Sequence, residues 1–213
     1  FALLACRSSS DFVTRPWASD GSLAGTVLLV DAGVYSASST PAVTAVGTRA
    51  FFFVSASSNL QLWSSDGTTG GTSLVADLPG ISSVSQLVAS GALLYFNAGG
   101  NLWVSDGTAA GTHAIRSLSG KFAPLAPQGL VFVGGFNQLW ATDGADAGLL
   151  ASLPIDGDLS STGDRVWFGS SAKLWATDGT APGTRQVYGP TAANAANFAV
   201  GGDGRAYFSA SDS

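Results

Sequence analysis

Aspartate is the residue type whose number and spacing in this sequence could support chemistry. All 14 acidic residues are Asp and none is Glu. Five of them recur 35 to 46 residues apart, each followed directly by Gly (Asp20, Asp66, Asp106, Asp143 and Asp178). Carboxylates act as general acids and bases, ligate metal ions, or accept hydrogen bonds within turns. Because a catalytic acid is needed once and these recur in every repeat, the pattern favours a structural role.

The five aspartates lie within a repeated motif, L-W-x-[ST]-D-G-T-x-x-G-T, which places a Trp three residues before the Asp. From this Trp onward the motif covers residues 17–26, 63–72, 103–112, 140–149 and 175–184. Besides the aspartates, its signature residues are Trp17, Gly21, Trp63, Gly67, Trp103, Gly107, Trp140, Gly144, Trp175 and Gly179. The Asp-Gly pair predicts a turn in which the carboxylate accepts backbone N–H groups and the Gly takes a positive φ.

The strand that carries the Leu and Trp must present them on opposite faces, because successive side chains alternate. We expect both to be buried against neighbouring repeats, and the second Gly of the motif to enter an outer strand at a bulge. Trp17 follows Pro16 rather than Leu and is expected to be the most exposed Trp. The fourth copy is degraded, since Ala145 and Leu149 replace hydroxyl-bearing residues of the other copies.

Short apolar runs, rich in aromatic residues, precede the motif in every repeat, and their length and composition predict strands. They are residues 1–4, 51–54, 93–96, 130–133 and 166–168, with a sixth at 206–208. Four strands in about 40 residues are typical of a β-propeller blade. We therefore predict an all-β fold, a single β-propeller domain over residues 1–213 with five or six four-stranded blades. Since the chain starts at Phe1 and contains no Met, we expect it to be a processed product or a segment of a longer protein.

Charge and composition exclude several classes of function. The net charge is −5, and the nine Lys and Arg residues form no basic patch, so we expect no nucleic-acid partner. No apolar run of 18 residues is present, so we expect no transmembrane helix. The abundance of Ser, Thr, Gly and Ala is typical of secreted bacterial β proteins. The single cysteine, Cys6, excludes an intramolecular disulfide and is expected to be buried in a strand.

Chemistry outside the motif has few candidates. His113, the only histidine, falls on an outer strand and is expected to be exposed. Glycosidases on propeller folds commonly use Glu as the general acid, so the absence of Glu disfavours that activity. Asp156, Asp158 and Asp164 could ligate calcium through hard oxygens, but they lack the ligand series of a calcium loop. We interpret that segment as a plain turn and expect no cofactor.

The motif resembles the ELWxxDGT repeat of bacterial secreted and surface proteins. The initial Glu of that repeat is missing here, where Gln61, Asn101, Gln138 and Lys173 precede the Leu. The resemblance covers nearly the whole chain. It implies a repeated β architecture and a secreted or surface location, and it implies no particular activity.

The sequence thus favours a non-catalytic, secreted or cell-surface interaction or scaffold module whose partner is a glycan or another protein. One alternative is a lectin with repeated sites between blades, which requires a stacking aromatic ring beside polar groups. Another is a structural segment of an extracellular filament or matrix, assembled by self-association through terminal edge strands. A glycoside hydrolase is the least favoured alternative.

Overall fold

Antiparallel β-strands make up all the regular structure that the computed structural model of the chain describes. The description covers residues 2–7, 14–31, 34–35, 43–56, 59–117, 120–127, 129–171, 173–188, 196–201, 203 and 205–209. The all-β prediction is therefore confirmed for these ranges. Within them, no helix has the length and apolar composition needed to span a membrane.

The first half of the chain contributes three sheets. The first contains β1 (Ala2–Arg7), β2 (Thr14–Ser19) and β3 (Val27–Leu28), paired in that order. The second has the order β4–β6–β7–β8, with β5 also paired to β6. Its strands are β4 (Val34–Tyr35), β5 (Val43–Val46), β6 (Arg49–Ala56), β7 (Asn59–Ser65) and β8 (Ser73–Leu78). The third is four-stranded and contains β9 (Val84–Ser90), β10 (Leu93–Ala98), β11 (Asn101–Ser105) and β12 (His113–Ser117).

The second half repeats the four-stranded pattern twice. One sheet contains β13 (Phe122–Leu125), β14 (Gly129–Val133), β15 (Gln138–Thr142) and β16 (Ala147–Ser152). The next contains β17 (Asp156–Ser161), β18 (Val166–Ser170), β19 (Lys173–Thr177) and β20 (Arg185–Tyr188). A last pair, β21 (Ala196–Val200) and β22 (Ala206–Ser209), forms a two-stranded sheet. Three of the described sheets are thus four-stranded, as predicted, and the number of blades remains a prediction.

The chain divides into two compact units, each with its own apolar core. Unit 1 comprises Phe1–Gly99 with Trp103–Ala114, and unit 2 comprises Gly100–Leu102 with Ile115–Ser213. In unit 1, β6 is buried on both faces: Phe53 packs in a cluster with Leu62 and Phe96, and Phe52 packs in another with Ala18. A strand buried on both faces needs the continuous apolar run seen in the sequence.

The core of unit 2 joins the sheet of β13–β16 to the sheet of β17–β20. Leu125, Val131 and Leu139 from the former pack with Val166 and Phe168 from the latter. Full burial of side chains of this size stabilises a fold by about 1.5–3 kcal/mol each. The aromatic runs at 51–54, 93–96, 130–133 and 166–168 therefore form the cores of the two units. In the sixth run, Tyr207 is exposed instead.

Four of the five motif tryptophans are less buried than predicted, and the Leu that precedes every motif Trp except Trp17 occupies the core. Leu62, Leu102 and Leu139 are fully buried, and Leu174 is nearly so. Four of the tryptophans are only half-buried, namely Trp17, Trp63, Trp103 and Trp175. Trp17 is half-buried like the other three, and its being the most exposed of them stays a prediction. The alternation of side chains assigns each ring to one face of its strand but does not show how fully neighbouring elements cover the ring.

Trp140 is the exception among the motif tryptophans, with 9% of its surface exposed. The Arg116 guanidinium from β12 lies 3.6 Å from the centre of its ring. This cation–π contact covers one face of the Trp140 ring and contributes about 0.5–2 kcal/mol.

The bulge predicted at the second motif Gly lies further along the outer strand. Trp63 pairs with Leu74 and Leu62 with Ala76, so Val75 is the extra residue of β8. The same irregularity separates the Leu and Trp partners in the fourth and fifth sheets. The second Gly itself serves a different purpose, which the geometry of the motif loop shows.

Candidate functional site: the motif loops and the clefts between them

The third motif loop shows how the aspartate holds its turn. The Asp106 Oδ1 atom accepts two hydrogen bonds from Thr108, one from the backbone N–H at 2.8 Å and one from the hydroxyl at 2.7 Å. The Thr108 hydroxyl in turn accepts the N–H of Gly111 at 3.0 Å. A single threonine therefore ties the carboxylate to the far side of the loop.

A second chain of hydrogen bonds closes the base of the same loop. The Thr112 hydroxyl donates to the Thr108 carbonyl oxygen at 2.7 Å. Its only hydrogen is thereby used, so the Ser105 hydroxyl must donate in the 2.7 Å contact that joins it to Thr112. The Ser105 oxygen also accepts the N–H of Gly107 at 3.1 Å. Each hydroxyl in the loop thus both donates and accepts.

The same bonds recur in the first, second and fifth loops with nearly the same distances. The carboxylates of Asp20, Asp66 and Asp178 accept the N–H and the hydroxyl of the residue two positions later. The base is closed in each by a hydroxyl pair, namely Ser19 with Thr26, Ser65 with Thr72, and Thr177 with Thr184. The serine at the first of these loops, Ser22, replaces the usual threonine without loss of a bond.

The second Gly of the motif is required because the carboxylate lies against its backbone. A β-carbon at Gly25, Gly71, Gly111 or Gly183 would overlap the aspartate of the same loop. None of the four has a positive φ, so close approach and not backbone conformation selects glycine there. This explains the fixed distance of five residues between the Asp and the second Gly.

The first Gly of the motif is selected by conformation and by packing. Gly107 and Gly179 have φ values of 89° and 87°, which side chains rarely tolerate. A β-carbon at Gly107 would lie 3.3 Å from the Phe51 ring of the preceding sheet, and one at Gly179 would overlap Leu125. The third and fifth motif turns are therefore also packing contacts within their units, whereas a β-carbon at Gly21 in the first turn would meet no atom within 4 Å.

The fourth loop lacks most of this network. Asp143 Oδ1 accepts the N–H of Ala145 at 3.0 Å, but Ala145 has no hydroxyl to add. Leu149 takes the place of the closing threonine, so the Thr142 hydroxyl accepts only the N–H of Gly144 at 3.0 Å. No atom lies within 4 Å of a β-carbon built on Gly148. The carboxylate of Asp143 is therefore less restrained than its four counterparts.

The hydrogen bonds of the loops lower the pKa of every motif aspartate. For Asp66, Asp106 and Asp178 the largest cause is the threonine hydroxyl, followed by the backbone N–H of the same residue. For Asp20 the backbone N–H of Ser22 contributes most to the lower pKa, and for Asp143 the N–H of Ala145 does. Donors directed at a carboxylate favour its charged form. These five groups are thus anionic at neutral pH.

Exposed clefts lie between consecutive motif loops in both units. In unit 1, a cleft of about 330 Å³ is lined by the first two loops, including Asp20, Val27, Asp66 and Thr69. In unit 2, a cleft of about 450 Å³ is lined by the fourth and fifth loops together with Leu125 and Leu149. No aromatic side chain of the described residues lines either cleft.

The larger cleft contains one acidic residue that the motif does not predict. Asp146 is exposed and lines this cleft together with Asp143 and Asp178. The other four copies have Leu23, Thr69, Ala109 and Ala181 at this position of the loop. A charged residue where the repeat has none was the only signal that could have identified it from the sequence.

A third cleft, of about 470 Å³, is lined by residues of the second and third sheets of unit 1. It is lined by Arg49, Phe51 and Asp106, with the turns at 46–48 and 91–92. The Arg49 guanidinium donates to Ser64 Oγ at 3.0 Å and to the Gly71 carbonyl oxygen at 2.8 Å. Arg49 therefore stabilises the second motif loop through hydrogen bonds to residues on either side of it.

The other candidates from the sequence lie apart from the motif loops. His113 is exposed at the start of β12. Asp156 and Asp158 lie in β17, and only Asp164 is in the turn that follows, so interpreting the whole segment as a turn was wrong. The Asp158 carboxylate is 3.4 Å from the Lys121 ammonium. β1 includes Cys6, whose side chain lies outside the described residues.

A metal site is not assembled in the described part of the chain. No three side chains of the types His, Cys, Asp and Glu come together there in a group that could hold an ion. The three aspartates considered for calcium are among the residues searched.

Comparison with solved structures identifies the class of fold. The structure of Kluyveromyces lactis Hsv2 matches with a TM-score of 0.54 at 12% sequence identity, over 87% of this chain and 61% of Hsv2. A second Hsv2p structure from that organism matches with a TM-score of 0.48 at 15% identity, over 81% and 56%. A chain of a nidogen/laminin complex matches with a TM-score of 0.43 at 14% identity, over 82% and 71%.

The first of these likenesses assigns the fold. The chain is an all-β protein of the β-propeller type, built from repeated antiparallel sheets, and it spans about three fifths of the length of Hsv2. No family model matches the sequence. No curated protein matches it either.

Proposed function

We propose that this chain is a non-catalytic interaction module of a secreted or cell-surface bacterial protein, and that its partner binds in the clefts between motif loops. The observation that carries the proposal is the recurrence of one kind of cleft in both units. Each cleft combines anionic carboxylates with small apolar side chains. Repeated weak sites raise the overall affinity for an extended or repetitive partner.

The state of the motif aspartates supports a role in binding over a role in catalysis. A carboxyl group that serves as a general acid needs a pKa raised towards the working pH. The hydrogen bonds of the loops lower the pKa of all five. Their Oδ1 atoms already accept the bonds that shape the turn, which leaves the Oδ2 side of each carboxylate to face a partner.

The lining of the clefts favours a protein partner over a glycan. Lectin sites pair polar groups with an aromatic ring, and the described lining of the two clefts between motif loops contains no such ring. Carboxylates beside Leu125 and Leu149 match a basic side chain with an aliphatic stem. A glycan remains the alternative partner, held by hydroxyl groups that donate to the carboxylates.

We also propose membership of the ELWxxDGT-repeat proteins and the surface location which that resemblance implies. The repeated hydrogen-bond network explains why the motif combines these residue types, because the Asp, both glycines and the hydroxyl residues each make a defined contact. Surface labelling of the source cells, followed by mass spectrometry, tests the location. Recovery of the chain only from the cytosolic fraction would contradict it.

Binding experiments with two matched variants test the proposed site. Asp146→Lys reverses a charge in the cleft of unit 2, and Asp77→Lys makes the same change on the exposed face of β8, away from the clefts. The probes are basic peptides on an array and a glycan array, each with calcium and with chelator. We expect peptide binding that Asp146→Lys weakens at least about tenfold, equivalent to one charge-assisted contact, and that Asp77→Lys leaves unchanged.

The other outcomes separate the alternatives. Equal loss in both variants would place the binding surface elsewhere. Saturable binding to the glycan array alone would favour the lectin alternative. Blank arrays with concentration-dependent self-association would favour a structural segment of a filament, and hydrolysis of a glycan would overturn the non-catalytic assignment.

A further inference from the structure

The Asp-Gly bond of the fourth motif loop differs from its counterparts in a way that bears on covalent chemistry. In an Asp-Gly pair, the glycine nitrogen can attack the aspartate side chain because glycine presents no β-carbon to block the approach. The attack requires the carboxyl group to rotate out of its turn towards the backbone. Whether that rotation is open depends on what restrains the carboxylate.

In four loops the carboxylate is exposed but restrained, by a hydroxyl and an N–H donor on one side and by the second glycine on the other. In the fifth loop, Thr180 donates its N–H and its hydroxyl to Asp178 Oδ1, at 3.0 and 2.7 Å, and Gly183 lies directly against the carboxylate. Rotation there would break two hydrogen bonds and press the carboxylate into the backbone. The first three motif loops have the same contacts.

The fourth loop leaves the rotation open. Asp143 receives hydrogen bonds from backbone N–H groups only, from Ala145 at 3.0 Å and with a smaller contribution from Asp146, and no hydroxyl adds to them. No atom lies within 4 Å of a β-carbon built on Gly148, so the second glycine does not restrain the carboxylate either. Asp143 and Asp178 are both exposed to water at the 450 Å³ cleft, so the missing hydroxyl and the missing glycine contact are what distinguish Asp143. Loss of one hydrogen bond of ordinary strength lowers the barrier enough for about a tenfold faster reaction.

We propose that Asp143 is a site of spontaneous isomerisation to isoaspartate, and that the other four motif aspartates are protected. The Gly144 nitrogen attacks Cγ of the neutral carboxyl; the N–Cγ bond forms, the Cγ–O bond breaks, and the hydroxyl leaves with the nitrogen's proton as water. Water then opens the ring at the main-chain carbonyl. The chain continues through Cβ and Cγ, a free α-carboxylate remains, and the total mass is unchanged.

The consequence is a covalent change in one cleft only. The isomerised residue adds a methylene group to the backbone of the fourth loop and moves the carboxylate away from its turn. The cleft of unit 2 would change shape, whereas the cleft of unit 1, between two loops with restrained carboxylates, would not. Isoaspartate would thus accumulate with time in the fourth motif loop and not in the other four.

The test compares Asp143 with Asp178, which follow the same four residues, Leu-Trp-Ala-Thr. The folded chain is incubated at neutral pH, and isoaspartate is quantified at each Asp-Gly bond of the motif by electron-transfer fragmentation. We expect at least about ten times more isoaspartate at Asp143 than at Asp178. The same chain in urea supplies the intrinsic rates, and there the two sites should differ much less.

Two variants make the result specific to the loop. Ala145→Thr combined with Leu149→Thr restores the hydroxyl residues and should bring Asp143 down to the level of Asp178. Thr180→Val removes the hydroxyl from the fifth loop and should raise isoaspartate at Asp178. Equal rates at the two sites in the folded chain, or the same ratio in urea as in the folded state, would overturn the proposal.

Discussion

The fourth and fifth motif loops begin with the same six residues and end as different structures. Both read Leu-Trp-Ala-Thr-Asp-Gly, from Leu139 and from Leu174, and both lie in unit 2. After the Gly, the fifth loop supplies Thr180 and Thr184, whereas the fourth has Ala145 and Leu149. The fifth loop makes every bond of the network. In the fourth loop, Thr142 and Asp143 receive hydrogen bonds from backbone N–H groups alone.

This difference separates the residues that start the turn from the residues that close the loop. Asp and Gly are enough to start the turn, because Asp143 and Asp178 accept the same N–H bond at the same distance of 3.0 Å. The two threonines then bring the carboxylate against the second glycine. Without them the carboxylate does not lie against the second glycine, so no close contact requires glycine at Gly148.

The largest expected difference in stability between the two loops comes from adding a methyl group at the second glycine of each. Gly183→Ala places a β-carbon where the Asp178 carboxylate lies and should lower the free energy of unfolding by about 2–3 kcal/mol. Gly148→Ala meets no atom and should stay within about 0.5 kcal/mol of the parent. Urea unfolding followed by tryptophan fluorescence measures both. Equal losses would show that the two glycines serve the same purpose.

Removal of a hydroxyl from the intact loop should have the next largest effect. Thr180→Val keeps the shape of the side chain, removes its bond to Asp178 and leaves the Gly183 N–H without its acceptor, at a cost of about 1–2 kcal/mol. Ala145→Val is the matched control, because no hydroxyl is lost there. Thermal unfolding by circular dichroism reports the difference, and a Thr180→Val chain as stable as its control would count against the network.

Repair of the fourth loop should produce a smaller change of opposite sign. Ala145→Thr with Leu149→Thr gives Asp143 and Thr142 the partners that their counterparts have, and should raise the free energy of unfolding by about 0.5–1 kcal/mol. The paired single variants show whether the two threonines act together. No gain in the double variant beyond the sum of the singles would mean that the loop does not close cooperatively.

The smallest expected difference is in the response to acid. A carboxyl group whose folded pKa is lowered stabilises the fold above its unfolded pKa of about 3.9, and that contribution disappears as the pH falls through the folded value. Asp178→Asn should therefore flatten the loss of stability below pH 4 more than Asp143→Asn does, since the Thr180 hydroxyl is the main cause of the lower Asp178 pKa. Urea midpoints measured from pH 6 to pH 2.5 provide the comparison. Solvent screening keeps the effect modest.

The sequence alone determined the repeat, the strands and the start of each turn. Strand runs such as Phe51–Val54 and the Asp-Gly pairs act through local physics, namely alternation of side chains, turn chemistry and the conformational freedom of glycine. For the same reason the sequence also marked the fourth copy as degraded. It overstated the burial of four of the tryptophans, because the motif does not reveal how fully neighbouring elements cover each ring.

Only the tertiary structure decided what the glycines and the clefts are for. Gly107 contacts Phe51 and Gly179 contacts Leu125, and these pairs are distant in the sequence. The clefts between loops likewise depend on residues from consecutive sheets. Asp146 is part of the proposed binding site because it lines a cleft together with residues of the fifth motif loop. Contacts between distant segments follow from how sheets pack within a unit, and no local pattern encodes that geometry.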